Sequence, residues 1–243
     1  MLKTCFVAFV FNEKETLELL GRLVNIASPS GYTQKIMGFM GSLLKDLNIS
    51  YKMTNKGAII VTIPGENNSK HRLLTAHTDT LGAMVKEVKG SGRLKLSMIG
   101  GFKWNAVEGE YCTIHTAEGK KYRGTILMHQ TSVHVYNNVG DLKRDEQHIE
   151  VRVDEKVFNE ADIRSLGIEV GDFVSFDARF EVTDSGFIKS RHLDDKASTA
   201  LLLQLVKYIK QKNIQLPYTP HFFVSFQSSE VSELERISYN LKR

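Results

Sequence analysis

From Gly82 to Gly186 no long helical repeat occurs, while apolar residues at helical spacing stand on both sides of that stretch. This interruption limits the fold more than any other feature of the chain. Inside it, short runs such as Tyr111-Cys112-Thr113-Ile114-His115 and His148-Ile149-Glu150-Val151-Arg152-Val153 alternate with glycine turns. Asp162 to Gly167 has room for one helical turn, and Gly171 to Phe176 reads as a further strand. A β-rich stretch of this kind is expected to close on itself as a small barrel or sandwich. Upstream, Leu17, Leu20, Leu23 and Val24 predict a helix over Glu13–Ile26, ending at Ser28-Pro29-Ser30-Gly31. Ile36, Phe39, Met40, Leu43, Leu44 and Leu47 predict a second over Thr33–Leu47. Strands are predicted at Tyr51–Thr54, Ala58–Ile63 and Leu73–Ala76, the last apolar enough to be a central strand buried on both faces. Downstream, Ala200, Leu203, Val206 and Ile209 predict a helix over Ala197–Lys212. Pro217 and Pro220 then break the chain, and His221–Phe226 predicts another strand. The expected architecture is one α/β domain, residues 12–81 and 187–243, split by an inserted β-rich module at 82–186.

Composition removes several function classes. With 42% hydrophobic and 25% charged residues and only four prolines, the chain can build a core and is neither fibrous nor disordered. Its 32 Lys and Arg against 28 Asp and Glu leave a net charge of +4, spread along the chain, so neither nucleic acid nor a membrane is an expected partner. Cys5 and Cys112 supply neither a disulfide framework nor a CxxC knuckle, which fits a reducing cytoplasm. The apolar run Phe6–Phe11 is too short for a signal peptide and meets Asn12-Glu13-Lys14-Glu15; it is expected to be a buried edge strand or an extension foreign to the fold. No apolar stretch is long enough to span a bilayer.

Two segments carry candidate chemistry. In Thr75-Ala76-His77-Thr78-Asp79 a strand runs into a histidine, followed two residues later by an aspartate that can orient the imidazole. Alone, this reads as a strand-end histidine satisfied by a turn aspartate. In His192-Leu193-Asp194-Asp195-Lys196 two carboxylates precede a helix, where capping is the ordinary explanation. Together they bound the same inserted stretch, and a carboxylate can bridge two divalent ions that jointly activate a water. His115, His129, His134 and His148 are expected to be surface or hydrogen-bonded residues, and Phe102 with Trp104 to pack a barrel end or an interface. No GxxxxGK[ST], GxSxG or HExxH motif occurs.

Ser28-Pro29-Ser30-Gly31-Tyr32, Ala76-His77-Thr78-Asp79-Thr80-Leu81-Gly82, and Ser190-Arg191 with Leu193-Asp194-Asp195-Lys196 resemble the glutamyl aminopeptidase and TET family of co-catalytic metallopeptidases. The resemblance covers roughly Asn12 to Phe226. It implies a zinc-peptidase-like three-layer α/β domain with an inserted small β-barrel module that supports homo-oligomers, from dimers to dodecamers. It implies an aminopeptidase that removes N-terminal residues from peptide substrates with two divalent metal ions, zinc or cobalt. By the same resemblance His77 binds one metal, Asp194 bridges both, Asp79 orients His77 within the catalytic machinery, and Asp195 supports the bridging ligand across an unusual peptide bond. The family's next strand leads into Glu-Glu-Val-Gly, its first Glu the general base and its second a metal ligand. Counted without a gap, those positions hold Ser228 and Ser229; a shift of one residue makes Glu230 the metal ligand beside Val231, with Ser229 in place of the base. Such a slip reverses the face to which a side chain points. The family's further Asp and distal His ligands have no match in Val231–Arg243, where Ser232–Ile237 reads as a polar helical end. Two other readings therefore stand beside the enzyme: a truncated or degenerate member without activity, serving as an assembly module, and a carbohydrate hydrolase. The latter needs an aromatic-lined sugar groove, against which the single Trp speaks.

Overall fold

The computed structural model describes Phe9 and residues 12–227. In chain order its elements are α1 (Glu13–Asn25), α2 (Gln34–Asp46), β1 (Lys52–Met53), β2 (Ile59–Thr62) and β3 (Asn67–His77). There follow β4 (Gly82–Val88), β5 (Arg93–Ile99), β6 (Tyr111–His115), β7 (Lys121–Met128), β8 (Ile149–Val153), α3 (Glu160–Ser165) and β9 (Phe173–Phe176). The hairpin β10 (Glu181–Val182) and β11 (Ile188–Lys189), α4 (Leu193–Gln211) and β12 (Tyr218–Ser225) complete the set. The class is α/β with a closed barrel, as the alternation of periodicities predicts. The described residues form two compact units: one from those up to Ile26, Thr33–Asp79 and residues 192–227, the other from Ala27–Tyr32 and Thr80–Arg191.

The first unit is built on a four-stranded sheet in the order β1-β2-β12-β3. β12 runs antiparallel to β2 and parallel to β3, with Phe223 opposite Ile60 on one side and Thr75 on the other. Its unbroken apolar run Phe222-Phe223-Val224 is wholly buried, as suits a strand covered on both faces. The sequence assigns that central role to Leu73–Ala76, and here the structure differs. Among the described residues β3 pairs on one side only, so Leu73 and Leu74 are half-buried, Thr75 is exposed and Ala76 alone of the four is buried. Pro220, expected to break the chain, lies inside β12. Its carbonyl accepts from Ile63 N–H, so its missing N–H falls on the β2 side, just before that ladder begins at His221 opposite Thr62. α1 is capped by Asn12, whose side chain accepts from Glu15 N–H, and α1 buries Leu19, Leu20, Leu23 and Val24. α4 buries Ala200, Leu203, Val206 and Ile209, the face its spacing predicts.

The second unit is a closed antiparallel barrel in the order β4-β5-β8-β7-β6-β9. Val85, Leu94, Leu96, Ile114, Ile126, Val151 and Val174 fill its interior. A Cβ at Gly124 would lie 2.6 Å from the side chain of Val151, so the strands close there only around glycine. Buried Glu150 is held between Lys89 Nζ at 2.7 Å and Arg93 Nη1 at 2.9 Å, which offsets the loss of its hydration. Trp104 packs edge-to-face on Phe102 in the barrel core, and buried His115 bonds Ser175 Oγ at 2.7 Å. Apart from Phe9, the expected strand at Phe6–Phe11 lies outside the described residues, as does the helical end predicted for Ser232–Ile237.

The order of the sheet makes unequal demands on its strands. Phe223→Ala should cost about 3–5 kcal/mol in urea unfolding, whereas Thr75→Ala, directly opposite on the exposed strand, should stay within about 0.5 kcal/mol. Equal costs would contradict the arrangement.

Candidate metal centre

β3 ends at His77 because the next residue leaves the ladder to cap its neighbour: Thr78 gives both its N–H, at 3.0 Å, and its hydroxyl, at 3.1 Å, to Ser225 O at the end of β12. His77 therefore stands outside the carboxyl ends of two parallel strands, where α/β sheets collect functional groups. Its main chain is held from α4 on both sides. The His77 N–H donates to Asp195 Oδ2 at 3.3 Å, and Thr199 Oγ1 donates to His77 O at 3.0 Å.

Two of the carboxylates singled out by sequence flank this imidazole. Nδ1 of His77 lies 3.1 Å from Oδ1 of buried Asp79, and Nε2 lies 3.2 Å from Oδ1 of Asp194, whose side chain is 94% exposed. Asp194 and Asp195 depart from helical backbone angles at the head of α4, and the peptide bond between them is cis. The Asp79 carboxylate raises the His77 pKa above its ordinary value; burial opposes it, and Asp195 and Asp194 add to the rise. Glu230, the other predicted ligand, lies outside the described residues. Among the described residues no group of three or more His, Cys, Asp or Glu side chains is placed to hold a metal ion.

A sequence model of the M42 glutamyl aminopeptidase family matches residues 57–232. The chain belongs to the M42 glutamyl aminopeptidase family. It is 57% identical over 212 residues to YhfE of Bacillus subtilis, to which an aminopeptidase activity is ascribed, covering 87% of this chain and 61% of that protein's length. Its fold is similar to a TET aminopeptidase from the marine sediment archaeon Thaumarchaeota archaeon SCGC AB-539-E09, with TM-score 0.79, 18% identity, and coverage of 90% of this chain and 61% of that one. It is similar too to the TET1 peptidase of Pyrococcus horikoshii, described as assembling into a tetrahedron or a large octahedral shell, with TM-score 0.76, 19% identity, and coverage of 92% and 64%. This M42 chain thus spans about three fifths of the length of the relatives it matches.

For an M42 chain a divalent metal is implied, and the donors present fit part of its site. Two ligands bound to one tetrahedral ion at about 2.0–2.1 Å stand roughly 3.3 Å apart, close to the 3.2 Å between Nε2 of His77 and Oδ1 of Asp194. Asp79 behind Nδ1 is the carboxylate–histidine partnership that fixes tautomer and ring orientation in metal sites.

Lys196 is the residue that sequence reasoning passed over in this M42 site. It is fully buried, its Nζ donates to Ile26 O at 2.7 Å, and burial pushes its pKa down to about 7 while Asp79 opposes the fall. Only its position at i+1 from the Asp pair, where the helix turns inward, could have signalled this. Between pH 7 and the unfolded value of 10.5 the unfolded chain binds the extra proton, so stability rises with pH across that window. In the presence of chelator, the stability difference between wild type and Lys196→Met should grow in favour of wild type by about 2 kcal/mol from pH 7 to 9. A flat difference in urea unfolding would contradict the burial of a titrating ammonium.

Proposed function

We propose that this chain is the His- and Asp-bearing portion of a metal-dependent aminopeptidase that removes N-terminal residues from unblocked peptides. The observation that supports it is the imidazole of His77 set between the carboxylates of Asp79 and Asp194 at the ends of parallel strands. His77 and Asp194 would hold the divalent ion, zinc or cobalt by the chemistry of imidazole and carboxylate donors. When bound, that ion supplies a positive charge to polarise the scissile carbonyl and to acidify water.

The chain's own residues then do the positioning. Asp79, 3.1 Å from Nδ1 of His77, orients the ring electrostatically and leaves Nε2 toward Asp194. Asp195 and Thr199 anchor the main chain of His77 to the head of α4, which fixes the point from which the ring projects. Asp194, being exposed, can also meet a peptide amine from solvent. Glu230 is proposed as a further ligand and a second ion as Asp194's other partner. Homo-oligomers are proposed by likeness to the assembling TET1 structure. A cytoplasmic setting is in keeping with the free, buried Cys112 thiol, and no described helix is long and apolar enough to cross a membrane.

Turnover of aminoacyl p-nitroanilides with added zinc or cobalt tests the proposal. Activity should disappear with chelator and return with metal, and His77→Ala should lower kcat/KM by about a hundredfold or more, while Asp79→Asn weakens metal binding by about 10–100-fold. Turnover indifferent to chelator and to His77→Ala would sink the enzyme reading, and bound metal without turnover would leave assembly as the role.

A further inference from the structure

A pair of histidines lies on the same sheet, well back from His77. His71 on β3 and His221 on β12 meet with Nδ1 of the first 3.0 Å from Nε2 of the second. The other nitrogen of His221, Nδ1, is 2.9 Å from Thr62 Oγ1 on β2. Three adjacent strands thus contribute to one face: hydroxyl, imidazole, and a diagonally placed imidazole. Register explains why they share a face. His221 is opposite Thr62, Thr219 is opposite His71, and Thr219 and His221 are two apart on β12. The neighbours of His71 in sequence turn elsewhere, since Lys70 and Arg72 both stack on the ring of Tyr218.

We propose that His71 and His221 form a binding site for one divalent transition-metal ion of the kind that imidazole suits, zinc, copper or nickel, completed by water. Two nitrogens each about 2.0–2.1 Å from one ion are roughly 3.3 Å apart at a tetrahedral angle and about 2.9 Å at a square one. The observed 3.0 Å, the length of the hydrogen bond between the two rings, falls between those limits, so an ion can replace the shared proton with little movement of either ring. Thr62 acts as the outer partner: in the tautomer that turns the Nδ1–H of His221 to Thr62 Oγ1, Nε2 is left as the lone pair on the His71 side. His71 takes up the ion through Nδ1 by moving its single ring proton to Nε2, so binding releases no net proton from the neutral pair. Burial and the adjacent His71 lower the pKa of His221, which favours the neutral ligand form. His221 is buried and His71 half-buried, so the ion enters from the β3 side. An ion held there ties β3, the strand that ends in His77, to the central strand β12. The site is independent of the proposed peptidase activity.

Imidazole 15N NMR of the full chain, titrated with Zn2+, tests this directly because each histidine is read separately. Zn2+ should shift Nδ1 of His71 and Nε2 of His221 together, apart from any change at His77. His71→Gln should abolish the shift at His221, and Thr62→Val should weaken binding there by about tenfold. If the His71 and His221 signals of the wild-type chain stay unmoved at millimolar Zn2+, or if His221 still shifts in His71→Gln, the proposal is wrong. The wild-type titration decides the matter even if a variant fails to fold.

Discussion

Parallel pairing of β3 with β12 joins two segments that flank the whole barrel, and it puts the last residue of one, His77, directly opposite the last residue of the other, Ser225. Everything at the candidate centre follows from that register. Thr78 closes the ladder on Ser225 O, which frees the imidazole to project beyond the sheet. α4 then enters with Asp194 and Asp195 at its head, one carboxylate for the side chain of His77 and one for its amide. A slip of one residue between the strands would turn His77 to the opposite face and separate all of these groups.

The same centre holds its charges in a graded way. Asp194 is open to water, His77 is half-buried, Asp79 is buried, and Lys196 is fully enclosed. An ammonium with no water around it is costly, and here Asp79 and Ile26 O partly offset that cost. Asp79 consequently interacts with two basic groups, the His77 imidazole at 3.1 Å and, electrostatically, the buried Lys196. A carboxylate placed so orients the ring.

Much of this was legible in the sequence, for reasons that are local. Helical spacing in α1 and α4 marks the buried faces because periodicity is a property of consecutive residues. The glycine-punctuated runs marked a β-rich closed structure, and the His-x-Asp and Asp-Asp segments marked the groups that meet. What escaped depends on pairing order, which no local window contains. Leu73–Ala76 looks central from its composition, but β12 takes the middle of the sheet and leaves β3 with a single neighbour among the described residues. Pro220 looks like a break and is tolerated because its missing N–H faces a ladder that has not begun. His71 and His221 are unremarkable apart in sequence, and only the register makes them a pair. Lys196 reads as a surface lysine after two aspartates until the turn at the head of α4 carries it inward.

The strand in the middle of the sheet is also the last described element to leave the ribosome. The barrel strands form a continuous segment and can close while synthesis continues, whereas β2 and β3 have no common partner until residues 218–225 emerge. During that interval both present unpaired edges, a state open to pairing with other chains. Only with residues 218–225 in place do β2 and β3 gain the strand that joins them into one sheet.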